Sequence, residues 1–299
     1  MKRMSLLALS LALACSPVVA SATSAQEMQT VMQNAPSIVT VKIVMTTQMG
    51  EGSSVQNQES STSAPGVVVE PNGLIMLSKS SYSMDSLASM FGEDTSGFKV
   101  KTTPTSFKVT VGNESHEYSA VLAATDDILG LAFVQITDLG TRKLQTADFS
   151  PVVTPVVGDA VLSVTRLAKG YDFAPVVHRG RIAGSITLPR SAFILDGVQG
   201  IPGLPVYTGD GKVLGVITYL KPTISGADGS PGMLQALTAL FSGGGLSALM
   251  QSFVVPNTTV RPVIAQAEQR AITILAKPTS AATAPQASGS KAAPKSSTK

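Results

Sequence analysis

Gly200-Ile201-Pro202-Gly203-Leu204-Pro205, followed by Asp210-Gly211-Lys212-Val213-Leu214-Gly215, is the stretch on which the reading of this chain turns. Asp210-Gly211 is a tight-turn dipeptide, and the apolar, β-branched run after it reads as a strand. The segment is therefore a glycine-framed loop that leads through a turn into a strand. Pro202 stands at the centre of that loop. It has no hydroxyl to attack a carbonyl and no backbone N–H to give to an oxyanion.

Outward from this loop the chain is a series of short strand-like runs. One group of six lies at 38–45, 66–70, 74–78, 107–111, 117–124 and 131–136, and a second at 160–165, 174–186, 192–195, 204–207, 213–220 and 253–255. Pro71-Asn72-Gly73 and Gly112-Asn113 supply turn signals between members of the first group. Residues 25–34 read as a short helix with Met28, Val31 and Met32 on one face. Residues 261–272 read as an amphipathic closing helix with Val263, Ile264 and Ala271 inward. With 299 residues, 43% of them hydrophobic, the chain can bury a large core as one domain or two halves.

Taken in order, these segments resemble the HtrA/Deg branch of the trypsin-like serine proteases from about Ala35 to Gln269. Ala35-Pro36-Ser37-Ile38-Val39 is similar to the start of that family's first strand. Residues 66–78 resemble its G-x-I-I-D-x-D-G-x-I-L-T-N hairpin, and Thr125-Asp126-Asp127-Ile128-Leu129-Gly130-Leu131-Ala132 its T-D-x-x-x-D-L-A. Val157-Gly158-Asp159-Ala160-Val161 resembles V-G-D-x-V at the start of the second barrel, and Ser252-Phe253-Val254-Val255-Pro256-Asn257 the closing strand before the last helix. The opening loop resembles G-N-S-G-G-P. The resemblance implies an all-β fold of two six-stranded chymotrypsin-fold barrels, split near residue 150, with short N- and C-terminal helices.

The departures fall on the chemical positions. Ser80 aligns with the catalytic histidine, Gly130 with the aspartate that orients it, and Pro202 with the nucleophile. Gly200 and Gly203 survive as a remnant of the oxyanion loop, with Gly200 keeping one of its two donors. The stretch before Gly200 is shorter than the family's, so the wall of the specificity pocket departs as well. A serine hydroxyl needs a base and the base needs an orienting group, and loss of one oxyanion donor alone costs about 3 kcal/mol of transition-state stabilisation. Ordinary serine proteolysis is thereby excluded, given the alignment. In trypsin-like folds a substrate strand pairs with the segment that here is Thr218-Tyr219-Leu220, and such backbone pairing needs no triad.

Relocated chemistry finds little support. His116 and His178 are the only histidines; the first reads as a solvated strand end beside a turn, the second as a barrel-surface residue. Ser78-Lys79-Ser80-Ser81 suggests a serine–lysine dyad only weakly, because neighbouring residues on a strand face opposite ways. Asp126 and Asp127 read as turn residues, since paired catalytic acids must face each other across a cleft. Two histidines and one cysteine give no catalytic zinc set, and no cofactor is implied. The expectation is an exported pseudoprotease acting as a polypeptide-binding or assembly subunit, partnered by unfolded polypeptide, an active protease relative or copies of itself. A serine-type endopeptidase-family hydrolase with relocated catalytic residues is the alternative.

Composition bounds the rest. Met1-Lys2-Arg3 and the apolar run behind it read as a signal peptide over 1–25, too short to stay in a membrane, which implies a periplasmic or cell-envelope location. Cys15, the only cysteine, excludes an intrachain disulfide. It is either discarded with the signal or, through the weak lipobox Leu11-Ala12-Leu13-Ala14-Cys15, acylated; only then would the protein sit on a membrane. Setting aside Lys2, Arg3, Lys277, Lys291, Lys295 and Lys299 from the 22 basic residues leaves 16 against 19 acidic ones. That balance, without basic clusters or any Trp, gives no support to nucleic-acid binding. Residues 26–276 form the protease-like domain, and 277–299 read as a flexible Ala/Pro/Ser/Lys tail with no room for a PDZ domain. Two insertions, 84–106 and 226–245, read as an exposed excursion near the cleft and a glycine-bounded loop helix, with Phe91, Phe98 or Phe241 able to fill the cleft.

Overall fold

The computed structural model describes residues 25, 29–30, 32–49, 56–83, 100–198, 200–219 and 252–276. Residues 1–24 with Cys15, Leu220, the stretches 84–99 and 226–245 with their phenylalanines, and residues 277–299 lie outside them.

Twelve strands form two closed six-stranded antiparallel barrels of the chymotrypsin-like kind. The first is built from β1 (Ile38–Met49), β2 (Gln56–Glu70), β3 (Leu74–Ser78), β4 (Val100–Val111), β5 (Glu117–Asp126) and β6 (Leu131–Ile136), in the spatial order β1-β2-β3-β6-β5-β4. The second uses β7 (Ala160–Arg166), β8 (Pro175–Ile186), β9 (Ala192–Asp196), β10 (Pro205–Thr208), β11 (Val213–Tyr219) and β12 (Ser252–Pro256), in the order β10-β11-β12-β9-β8-β7. Closure pairs every strand on both sides over part of its length, which removes most of the edge a sheet would otherwise expose.

Strand alternation sorts the side chains into three apolar layers. Ile75 and Leu77 of β3 point into the first barrel with Val39, Val41 and Val109. Leu214 and Ile217 of β11 fill the second with Val161, Val206 and Val254. The opposite faces are also buried. Leu74, Met76, Leu131 and Phe133 of the first barrel share one cluster with Leu162, Leu204, Tyr207, Val216 and Val255 of the second. Helix α1 (Asn257–Ala276) adds Val260, Ile264, Ala267 and Ala271 to it. β3 and β6 are buried at every position for this reason, and their sequences are continuous apolar runs rather than alternating ones. Asn257 fastens the helix start, donating from Nδ2 to the carbonyls of Pro151 and Val213.

Four expectations need correction. Residues 100–106 belong to β4 rather than to an exposed excursion, and β2 begins at Gln56 rather than 66, because both pair with a β1 that runs on to Met49. The closing helix runs from Asn257 to Ala276, with Val260 and Ala267 fully buried and Val263 only half-buried. Met32 does not face inward: it is 69% exposed, while Thr30 of the same segment is buried, its hydroxyl donating to the Gly209 carbonyl at 3.4 Å.

Arg166 joins the barrels through backbone carbonyls, with no acidic partner among the described residues. Its guanidinium donates to the carbonyls of Ile38 at 2.7 Å, Ala35 at 2.8 Å and Phe173 at 3.0 Å. Its burial disfavours the charged form, and a planar fork can serve three fixed carbonyls where an ammonium cannot. Arg166→Met should lower unfolding free energy by about 2 kcal/mol, the cost of leaving partly buried acceptors unpaired. Arg166→Lys should recover only part of the loss, as read by urea denaturation.

Candidate functional site at the barrel junction

The turn after β3, the β5–β6 loop and the loop before β10, which carry Ser80, Gly130 and Pro202, come together where the barrels touch. β3 ends at Ser78 and passes into a 3-10 turn, Lys79–Ser81, which the Ser78 hydroxyl caps by accepting from the Ser80 N–H at 3.3 Å. The two hydroxyls, Ser78 Oγ and Ser80 Oγ, lie 2.7 Å apart. Lys79 N–H donates to the Gly130 carbonyl at 2.8 Å, which clamps this turn to the β5–β6 loop. That loop is shaped by Asp126, whose Oδ1 accepts from Leu129 N–H at 2.7 Å.

The second barrel supplies the other wall. Gly203 has φ +88°, and a Cβ built on it would lie 2.4 Å from Ser78 N and 2.7 Å from the Leu77 carbonyl carbon. The loop Gly200-Ile201-Pro202-Gly203 is thus seated directly on the backbone of β3. It is held from behind by Gly203 N–H donating to the Ile217 carbonyl at 2.8 Å and Ile217 N–H donating to Leu204 at 3.0 Å. Thr218, buried, donates from Oγ1 to the Leu129 carbonyl at 2.5 Å.

What this arrangement can do chemically is narrow. Ser80 is exposed and its nearest polar partner is another hydroxyl; neither histidine takes part in the junction. His116 is exposed, edge-on to the Tyr118 ring at 4.4 Å, and His178 lies on β8 opposite Ser163. Lys79 Nζ is paired with Asp127 Oδ1 at 3.0 Å, so its charge is compensated at an exposed position. Gly130 has φ +65°, in the left-handed region that favours glycine. Among the described residues no group of three or more His, Cys, Asp or Glu is placed to hold a metal ion.

One edge of the junction has no neighbouring strand among the described residues. β11 pairs with β12 through Thr218↔Phe253 and Tyr219↔Ser252. On its other side the β10 ladder ends at Val216, and the loop Gly203–Leu204 continues it only to Ile217. In an antiparallel strand, alternate residues direct both N–H and C=O to the same side. The backbone groups of Tyr219 thus face the side of Ile217, where no strand runs among the described residues. Leu220 lies outside those residues.

A groove that no local sequence pattern marks lies elsewhere, between α1, the end of β2 and the inter-barrel linker. Its volume is about 420 Å³, and Glu70, Asp148, Phe149, Arg261, Ile264 and Glu268 are among its walls. Burial, and the like charge of Glu268, push the Glu70 carboxyl above the usual carboxylate range. Asp148 is held below its ordinary value by Ser150, with help from Arg261.

No family model matches this chain, and no curated protein matches it either.

Two outcomes follow. Gly203→Ala should cost about 3 kcal/mol or more in unfolding free energy, because the methyl meets backbone at a left-handed position. Gly200→Ala should cost less, since the intruded atoms are the side chain of Ile217. Glu70 has a raised folded pKa, so the folded state holds its proton more tightly than the unfolded chain and the carboxylate is a liability once ionised. Glu70→Gln should match the parent melting temperature below the ordinary carboxylate range and exceed it by a margin that grows as pH rises above that range and then levels off, as followed by calorimetry.

Proposed function

We propose that this protein is an exported, catalytically inactive relative of the trypsin-like serine proteases that binds extended polypeptide by adding it as a strand beside Tyr219. The observation that carries the reading is the open edge of β11 next to a junction whose Ser80, Gly130 and Pro202 leave no nucleophile, base or orienting acid in place. Thr218 supports the site by anchoring the strand to the first barrel, and Tyr219 offers an outward N–H and C=O with a ring 36% exposed. Recognition through backbone groups tolerates many sequences, with side-chain contacts adding selectivity at alternate positions. Export rests on the signal-like start of the chain alone.

The test uses a reduced, carboxymethylated polypeptide labelled with fluorescein. Its anisotropy should rise with the mature chain, and the probe should stay intact on a gel after long incubation. Tyr219→Pro removes the outward N–H without disturbing the β12 ladder and should weaken binding about tenfold, the worth of one to two backbone hydrogen bonds. Tyr219→Phe should bind as the parent does. Binding indifferent to Tyr219→Pro would place the site elsewhere. Fragmentation of the probe would establish a hydrolase with relocated residues and end the present reading.

A further inference from the structure

The first barrel does not stop where its six strands close. Beyond it, β1, β2 and β4 continue as a three-stranded ribbon, in which Met45–Met49 of β1 pairs with residues 56–60 on one side and 100–104 on the other. β3 reaches β2 only at Val67, Val68 and Glu70, and β5 reaches β4 only from Phe107 to Thr110. Among the described residues, both outer edges of the ribbon therefore lack a neighbouring strand.

The two edges are not alike. The β4 edge is interrupted: its register with β1 shifts between Val44 and Met45, Pro104 has no N–H to give, and Thr105 turns its hydroxyl onto the Val44 carbonyl at 3.1 Å. Bulges and prolines are the usual guards of an exposed edge. On the β2 side, residues 56–63 read Gln-Asn-Gln-Glu-Ser-Ser-Thr-Ser, in unbroken register with β1 from Gln56 to Val67. There is no proline, glycine, lysine or bulge, and Glu59 is the one charge. Residues 58–61 and Ser63 are exposed.

We infer that this β2 edge is a self-association surface, on which a second copy of the chain pairs its own residues 56–63 antiparallel about a two-fold axis. An isologous contact needs a strand complementary to itself, and this one is: hydroxyl- and amide-rich residues, with Glu59 the one charge, meet the same set reversed. A two-fold axis perpendicular to the sheet sets a residue opposite its own copy; with the axis at Ser60, Glu59 lies opposite Ser61 of the other copy. The two Glu59 residues are then about 7 Å apart along the strands, close to one Debye length at physiological salt, so their repulsion is partly screened. The contact holds no apolar residues, so it rests on backbone hydrogen bonds and is weak and concentration-dependent. It is separate from the β11 edge and does not depend on the reading given to that site.

Sedimentation velocity of the purified chain across the micromolar range is the test, with folding of each variant checked by circular dichroism. A monomer–dimer equilibrium should appear, weakened about tenfold or more by Ser60→Lys, which sets the two ammonium groups opposite one another. Thr103→Lys on the guarded β4 edge should leave it unchanged. A monomer at every concentration, association indifferent to Ser60→Lys, or equal loss with Thr103→Lys would overturn the inference. Should the Ser60→Lys variant fail to fold, amide exchange of the parent chain decides: amides of residues 56–63 must slow as concentration rises, and constant exchange there refutes the contact.

Discussion

The contact of the Gly203 backbone with the backbone of Leu77 and Ser78 sets the geometry of everything around it. A bare glycine at φ +88° lets the second barrel's loop lie directly on β3, and that approach lets the outer faces of the two barrels close over one apolar layer. Leu74, Met76, Leu131 and Phe133 are fully or almost fully buried only because Leu204, Tyr207, Val216 and Val255 cover them. Each barrel alone would expose this layer, and α1 extends the same layer rather than forming one of its own. The three carbonyls collected by Arg166 and the Thr218–Leu129 bond secure the seam with directional contacts at its ends.

The seam fixes which loops meet at the junction. The turn after β3, the β5–β6 loop and the loop before β10 converge because packing and backbone hydrogen bonds require it, whatever side chains they present. At the meeting point the polar groups serve structure: the Ser78 hydroxyl caps a turn, Asp126 holds Leu129, Lys79 answers Asp127 and Thr218 ties strand to loop. What is left for recognition is backbone. The open side of β11 at Tyr219 offers one edge of that kind and the outer side of β2 another.

Most of the strands could be read from the chain because their β-branched and apolar runs are short and separated by turn residues. β3 and β6 were legible to the residue, since both of their faces are buried and all their positions but Ser78 and Gln135 are apolar. The far ends of β2 and β4 were not legible. Gln-Asn-Gln-Glu-Ser-Ser-Thr-Ser has no hydrophobic alternation, and Pro104 argues locally against a strand; both segments are strands because a long β1 lies between them. Of the junction, the loops carrying Gly130 and Pro202 were marked in the sequence by their glycines and by the Asp-Asp and Asp-Gly turns beside them, and the turn carrying Ser80 by the strand-like run that ends at Ser78. The Thr218–Leu129 bond, the three acceptors of Arg166 and the Glu70 groove join residues far apart in sequence through carbonyls or burial, which no local pattern records.

The account stands or falls on whether recognition uses the β11 backbone. Residue-level amide hydrogen exchange, with and without a saturating unfolded polypeptide, reports on that backbone directly. The account requires new protection at Tyr219 on binding, with the turn Lys79–Ser81 and the Asp126–Gly130 loop little changed. Unaltered exchange at Tyr219 together with protection elsewhere would contradict it.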